Sequence, residues 1–130
     1  MISPTGKEIR EKDEWGSGRY GAPRGQNKLH DGTDFVCTPG QSILSPISGM
    51  MVREARPYSN SDYSGVLLHN DSIDIMLFYL IPDQNLIGKW IAKRSIIGVA
   101  QDISKKYPNM IPHIHLRVVK INPELLLNFP

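Results

Sequence analysis

Ten prolines and eleven glycines interrupt this chain of 130 residues so often that no long helix can run through it. Between the interruptions lie short runs rich in β-branched and aliphatic side chains. They are Phe35 to Cys37, Ser42 to Leu44, Gly49 to Arg53, Gly65 to His69, Ile73 to Ile81, Ser95 to Val99 and His113 to Ile121. Short strands separated by turn residues predict an all-β protein, an antiparallel β-sandwich or open barrel. His69-Asn70-Asp71-Ser72 is turn chemistry, so Gly65 to Ile81 reads as a hairpin. Its second arm, Ile73 to Leu80, is almost wholly apolar, the pattern of a strand covered on both faces. One or two short helices are expected: Val99 to Tyr107, stopped by Pro108, and a turn after Pro123 in Pro123 to Leu127, capped by Asn122. Residues 1–17 read as an approach segment packed on the sheet of a single domain spanning 1–130, and the glycine-rich stretch Gly16 to Lys28 continues it as loop.

Composition narrows the functional classes. A lone Cys37 excludes a disulfide-stapled scaffold and any all-thiolate zinc site. No apolar run approaches the ~18 residues of a membrane span. Fifteen Lys and Arg against thirteen Asp and Glu leave a net charge of +2. The basic residues are scattered, with Lys93-Arg94 and Lys105-Lys106 the densest pairs, so no nucleic-acid surface is expected. Met1 to Tyr20 is charged and lacks the apolar core of a Sec signal peptide. That leaves open retention inside the cell, delivery by a phage particle or secretion machine, and prior removal of a signal. The sequence carries no indication of oligomeric state.

Three of the four histidines fall in two compact patterns. In His30-Asp31-Gly32-Thr33-Asp34, the glycine argues against helix. A turn leading into a strand near Asp34, with His30 folded back towards the carboxylate, fits better. In Pro112-His113-Ile114-His115-Leu116, a strand places the two imidazoles side by side on one face and turns Ile114 and Leu116 into a core. Two histidines, an aspartate and a spare imidazole match a catalytic zinc site of three protein ligands and a water. Each pattern also has a plain alternative, a His-to-Asp bond that fixes a turn or imidazoles packed in a core.

The order HDGTD, SILSPISGMM, AKRSIIGVA, PHIHLRV and INPELLL resembles the lysostaphin/LytM-type zinc metallopeptidases, which cut peptidoglycan cross-bridges. The resemblance runs from about Gly18 to Leu127. It implies one zinc per chain held by His30, Asp34 and His115, with His113 as the unliganded catalytic histidine and a peptidoglycan peptide as substrate. The pieces GRYGAPR, ARPYSN, MLFYLIP and KKYPNMIPHIHL resemble the chemotaxin-2-like branch of the same family, regarded as zinc-binding signalling proteins without peptidase activity. Active members carry a further histidine in a Y-x-H-L segment, where this chain has Tyr79. Tyr79 either donates a hydrogen bond to the oxyanion formed on attack at a carbonyl or simply packs beside the metal. Cys37 stands where the chemotaxin-like proteins have a half-cystine, but its partner position near Asp74 holds no cysteine. It reads as a small buried hydrophobe.

Four further residues invite a role. Arg117 shares the face of His113 and His115, and suits a substrate carboxylate, a partner behind the metal ligands or a solvated strand charge. Trp15, Tyr20 and Tyr58 either line a groove or cover a sheet edge. His69 is left as a turn residue.

Overall fold

The computed structural model describes residues 1–25 and 27–126. Gln26 and Leu127, the last residue of the second expected helix, lie outside the described residues. Eleven strands follow one another: β1 (Pro23–Arg24), β2 (Lys28–Leu29), β3 (Thr33–Val36), β4 (Ser42–Leu44), β5 (Gly49–Ala55), β6 (Gly65–His69), β7 (Ile73–Phe78), β8 (Leu80–Pro82), β9 (Trp90–Ile91), β10 (Ile96–Ala100) and β11 (His113–Ile121). They form a six-stranded sheet in the order β3-β11-β7-β6-β5-β9, a three-stranded sheet β4-β10-β8 and the small pair β1-β2, all antiparallel. The all-β antiparallel architecture expected from the punctuated sequence is present.

One buried cluster joins the two larger sheets. Ile43, Leu80 and Ile97 come from the three-stranded sheet, and Met51, Val66, Leu68, Ile75, Leu77, Ile114 and Leu116 from the six-stranded one. Alternation along β11 does what the His-x-His pattern requires, with Ile114 and Leu116 inside this core. The turn before β7 is also as read: the Asn70 side chain accepts from the Ser72 and Ile73 amides at 2.8 and 2.9 Å.

Two expectations need correction. The run Ile73 to Ile81 is not one strand covered on both faces. It breaks at Tyr79, where φ is +77°, and passes from β7 in the large sheet to β8 in the small one. Ile75 and Leu77 enter the core, whereas Met76 and Phe78 line an open cleft on the other face. An apolar cleft floor reads in sequence like a second buried face. Val99 to Tyr107 is not a helix either. Val99 and Ala100 pair with β8, and only Ile103–Lys105 forms a 3-10 turn, with the Asp102 side chain capping the Ser104 amide at 3.0 Å. Pro123–Leu126 is likewise a 3-10 turn, and Asn122 caps the Glu124 amide as expected.

The approach segment is tied to β3 by main-chain bonds. The Val36 amide donates to Glu8 at 2.9 Å, the Arg10 amide to Asp34 at 2.7 Å, and the Asp34 amide to Gly18 at 2.8 Å. This strip covers the outer edge of β3, which would otherwise present unpaired backbone. A Cβ on Gly18 would stand 2.7 Å from the Arg10 Cβ and 2.9 Å from the Asp34 Cβ, so only glycine permits the approach.

The Arg10 side chain, 1% exposed, runs inward. Its Nη2 donates to Asp34 Oδ2 at 3.1 Å, and its Nη1 to Asp13 Oδ2 at 2.7 Å and the Gly16 carbonyl at 2.9 Å. Burial alone would raise the Asp13 carboxyl, but the Ile111 and Trp15 amides and Arg10 overcome it and hold the group below its usual range. Removing one member of a buried ion pair strands the other charge. An Arg10→Met variant should therefore lose about 3 kcal/mol of unfolding free energy, read as a lower urea midpoint. Cys37 sits in the core, where burial pushes its thiol up to about 11. Iodoacetamide at pH 8 is expected to leave Cys37 unmodified in the folded protein and to label it fully in urea.

Candidate metal centre and its cleft

His30, Asp34 and His115 are brought together by three local features. The loop after β2 returns His30 to the sheet, its amide donating to Ala22 at 2.8 Å. Asp34 lies in β3 directly opposite His115 in β11. Gly32 lets the loop pass over the ring, since a Cβ there would stand 2.7 Å from His115 Cε1 and Nε2.

Three atoms converge in this pocket. His30 Nε2 lies 3.2 Å from Asp34 Oδ1, His115 Nδ1 lies 2.9 Å from the same oxygen, and the two nitrogens are 3.1 Å apart. The outward nitrogens are committed elsewhere. His30 Nδ1 donates to the Arg19 carbonyl at 3.0 Å, and His115 Nε2 meets Asp31 Oδ1 at 3.0 Å. With the ring protons so placed, the inward atoms are two lone pairs and a carboxylate oxygen. All three residues are buried, so these acceptors repel one another unless a cation joins them. Tetrahedral zinc with bonds near 2.0–2.1 Å separates its ligands by roughly 3.3 Å, so the donor set and its spacing fit. Burial would raise the Asp34 carboxyl; where the inward nitrogens of His115 and His30 carry protons in place of a shared cation, their hydrogen bonds and charge outweigh it and hold the group well below the carboxylate range.

His113 stands beside the trio. Its Nδ1 donates to the Ile111 carbonyl at 2.7 Å, and its Nε2 lies 3.5 Å from Asp34 Oδ2. Burial lowers its pKa, partly offset by Asp34 and the Ile111 bond, which favours a neutral ring with the Nε2 lone pair turned inward.

Tyr79 faces His113, ring centres 5.4 Å apart and nearly perpendicular. Period-2 alternation would send Tyr79 to the core with Leu77, and the positive φ re-aims it. Its hydroxyl lies 3.1 Å from that of Tyr58, which accepts from Tyr107 at 3.2 Å. Burial pushes the Tyr79 hydroxyl up to about 12, so it stays protonated.

These groups open onto a cleft of about 590 Å³. Trp15 and Tyr58 line it, one of the two places the sequence left open for them, as does Arg117; Tyr20 does not and is 77% exposed. His69 lies away from the cleft, paired with Asp74 at the far end of the β6-β7 hairpin. Sequence reading overlooked Arg10, Asp31 and Tyr107. The Asp31-Gly32 turn is the only one of these with a local signal, and that signal marks a turn, not a partner for His115.

No family model matches the chain. Leukocyte cell-derived chemotaxin-2 of Bos taurus is 32% identical over 114 residues, covering 86% of this chain and 74% of the relative. The Mus musculus protein of the same name is 30% identical over 116 residues, covering 88% and 75%. Among solved structures, the catalytic domain of the antimicrobial peptidase lysostaphin from Staphylococcus simulans superposes with a TM-score of 0.57 at 22% identity, covering 87% of this chain and 89% of that one. No helix of the described residues is long and apolar enough to cross a membrane. The chain belongs to the leukocyte cell-derived chemotaxin-2 family, built on the lysostaphin-type peptidase fold.

Proposed function

We propose that this protein is a zinc-dependent endopeptidase that cleaves cross-links or stem peptides of bacterial peptidoglycan, with His30, Asp34 and His115 holding one zinc per chain. The observation that carries the reading is His113. A neutral imidazole whose Nε2 lone pair faces the ligand cluster, at the floor of an open cleft, supports a general-base role. Zinc bound by the three ligands would polarise the scissile carbonyl and lower the pKa of water.

The chain's own residues do the rest. His113 takes the proton of the attacking water at Nε2 and passes it to the leaving amine. Tyr79 keeps its proton and donates a hydrogen bond to the carbonyl oxygen as charge builds on it. Arg10 anchors Asp34 Oδ2, which keeps Oδ1 turned to the two imidazoles. Arg19 and Asp31 fix the tautomers of His30 and His115.

A second reading is a catalytically silent zinc domain that acts as a binding or signalling module. Tyr79 favours it, because a tyrosine with its pKa near 12 cannot supply the second base of the active peptidases. The names of the chemotaxin relatives favour it as well.

Elemental analysis of protein purified without chelator should find about one zinc per chain, and His30→Ala should lose it. Less than that in the native protein overturns both readings. On purified peptidoglycan, the native protein should release soluble muropeptides. His113→Ala should retain zinc and slow release by about 10²-fold or more. Zinc-loaded protein that releases nothing, with His113→Ala indistinguishable from it, decides for the binding module.

A further inference from the structure

The cleft continues past the metal cluster along the outer face of the six-stranded sheet. Strand register lays two rows of side chains across that face. One row holds Asp34, His115, Phe78, Gly65 and Ala55. The next, two residues along each strand, holds Arg117, Met76, Leu67 and Arg53. Met76 and Leu67 are half-buried and form an apolar strip between two arginines. Three strand spacings separate the Cα atoms of Arg53 and Arg117, roughly 14 Å.

Charge in the cleft is unbalanced in the same place. Its lining includes five arginines against two aspartates. Both aspartates are engaged, Asp34 by Arg10 and the imidazoles and Asp31 by His115. Arg10 is buried on Asp34 and Asp13, and Arg56 is paired with Glu54 at 2.9 Å. Arg53 has a backbone carbonyl partner, Glu54, and among the described residues no carboxylate within ion-pair distance. Arg117 pairs with Asp31 at 3.4 Å, rests its Nη2 on Met76 Sδ at 3.2 Å, and lies 5.8 Å from the Phe78 ring centre, beside the metal cluster. Two guanidinium groups thus border the apolar strip, Arg53 with no carboxylate partner among the described residues and Arg117 sharing the exposed Asp31 with His115. Guanidinium forks match carboxylates.

We propose that this row is a binding site for an extended acidic peptide, laid across the strands with carboxylates on Arg53 and Arg117 and small or apolar residues over Met76 and Leu67. An extended chain advances about 3.4 Å per residue, so the favoured carboxylates stand about four residues apart. The inference rests on the cleft being the place where the peptide lies, as in the peptidase reading, and it names the class of peptide taken there.

The test is fluorescence anisotropy of the full chain with a neutral-dye-labelled nonapeptide of alanines carrying two glutamates four residues apart. Replacing both glutamates by glutamine is expected to weaken binding by about tenfold, and placing them side by side by about threefold. Arg53→Gln and Arg117→Gln should each weaken the glutamate peptide by about fivefold and leave the glutamine peptide unchanged. Lys93→Gln removes the same charge elsewhere and should change nothing; melting curves confirm that each variant folds. Equal affinity for the glutamate and glutamine peptides, or an equal loss in Lys93→Gln, overturns the proposal without relying on any arginine variant. So does a thymidine oligonucleotide that binds as tightly and loses as much in the arginine variants, since the face is then a general polyanion surface. Mass spectrometry of the same samples keeps the two readings apart. A peptide bound selectively but never cut defeats the peptidase and leaves the acidic-peptide site standing. A peptide cut without regard to its charge does the reverse.

Discussion

A carboxylate sealed from water, Asp34 at 2% exposure, sets the terms for everything around it. An ion of that size in a protein interior costs several kcal/mol unless it is surrounded by partners. Its two oxygens divide them. Oδ2 takes Arg10 at 3.1 Å and faces His113 at 3.5 Å, and Oδ1 takes His115 at 2.9 Å and His30 at 3.2 Å. Those partners come from the approach segment, the loop after β2 and strand β11. The charge therefore draws together pieces of chain from opposite ends of the sequence. The fold and the candidate metal site are built together: the segment that covers the edge of β3 also supplies the cation, Arg10, that makes the buried Asp34 carboxylate tolerable.

What could be read from sequence follows from how local each signal is. His113 and His115 were legible because a strand's period of two forces alternate residues to one face, whatever the rest of the fold does. His30 and Asp34 were legible because a glycine between them rules out helix and leaves a turn. Arg10 was not, because an arginine in a charged, loop-rich segment looks solvated, and its partner is 24 residues away. Asp31 was hidden for the same reason: its value lies in reaching His115 across the sheet. The Val99 to Tyr107 segment misled because Val99 and Ala100 belong to a sheet whose other members lie more than a dozen residues earlier, and pairing overrode any local preference.

Tyr79 is where fold and chemistry meet most closely. A bulky residue at positive φ costs on the order of 1–3 kcal/mol, so the surroundings must hold it there. They do so through the backbone: the Tyr79 amide donates to Ser64 at 2.8 Å and its carbonyl accepts from Gln101 at 2.8 Å. The corner lets one apolar run serve two sheets. It also turns the ring out of the core and against His113.

The hydroxyl chain behind Tyr79 then decides what that ring can do. A phenol has one proton to give. Tyr107 donates to Tyr58, so the Tyr58 proton is available for Tyr79, and the proton of Tyr79 is left for an acceptor in the cleft. Burial raises the Tyr79 pKa, and the bond with Tyr58 lowers it, as an accepted hydrogen bond does. A histidine at this position could both accept and donate at neutral pH, whereas Tyr79 can only donate. On the proposed peptidase reading, proton transfer from water would fall to His113 alone, whose Nδ1 is already fixed on the Ile111 carbonyl. On that same reading, Tyr79 would divide the work with His113, leaving the base to one side of the cluster and a fixed hydrogen-bond donor to the other.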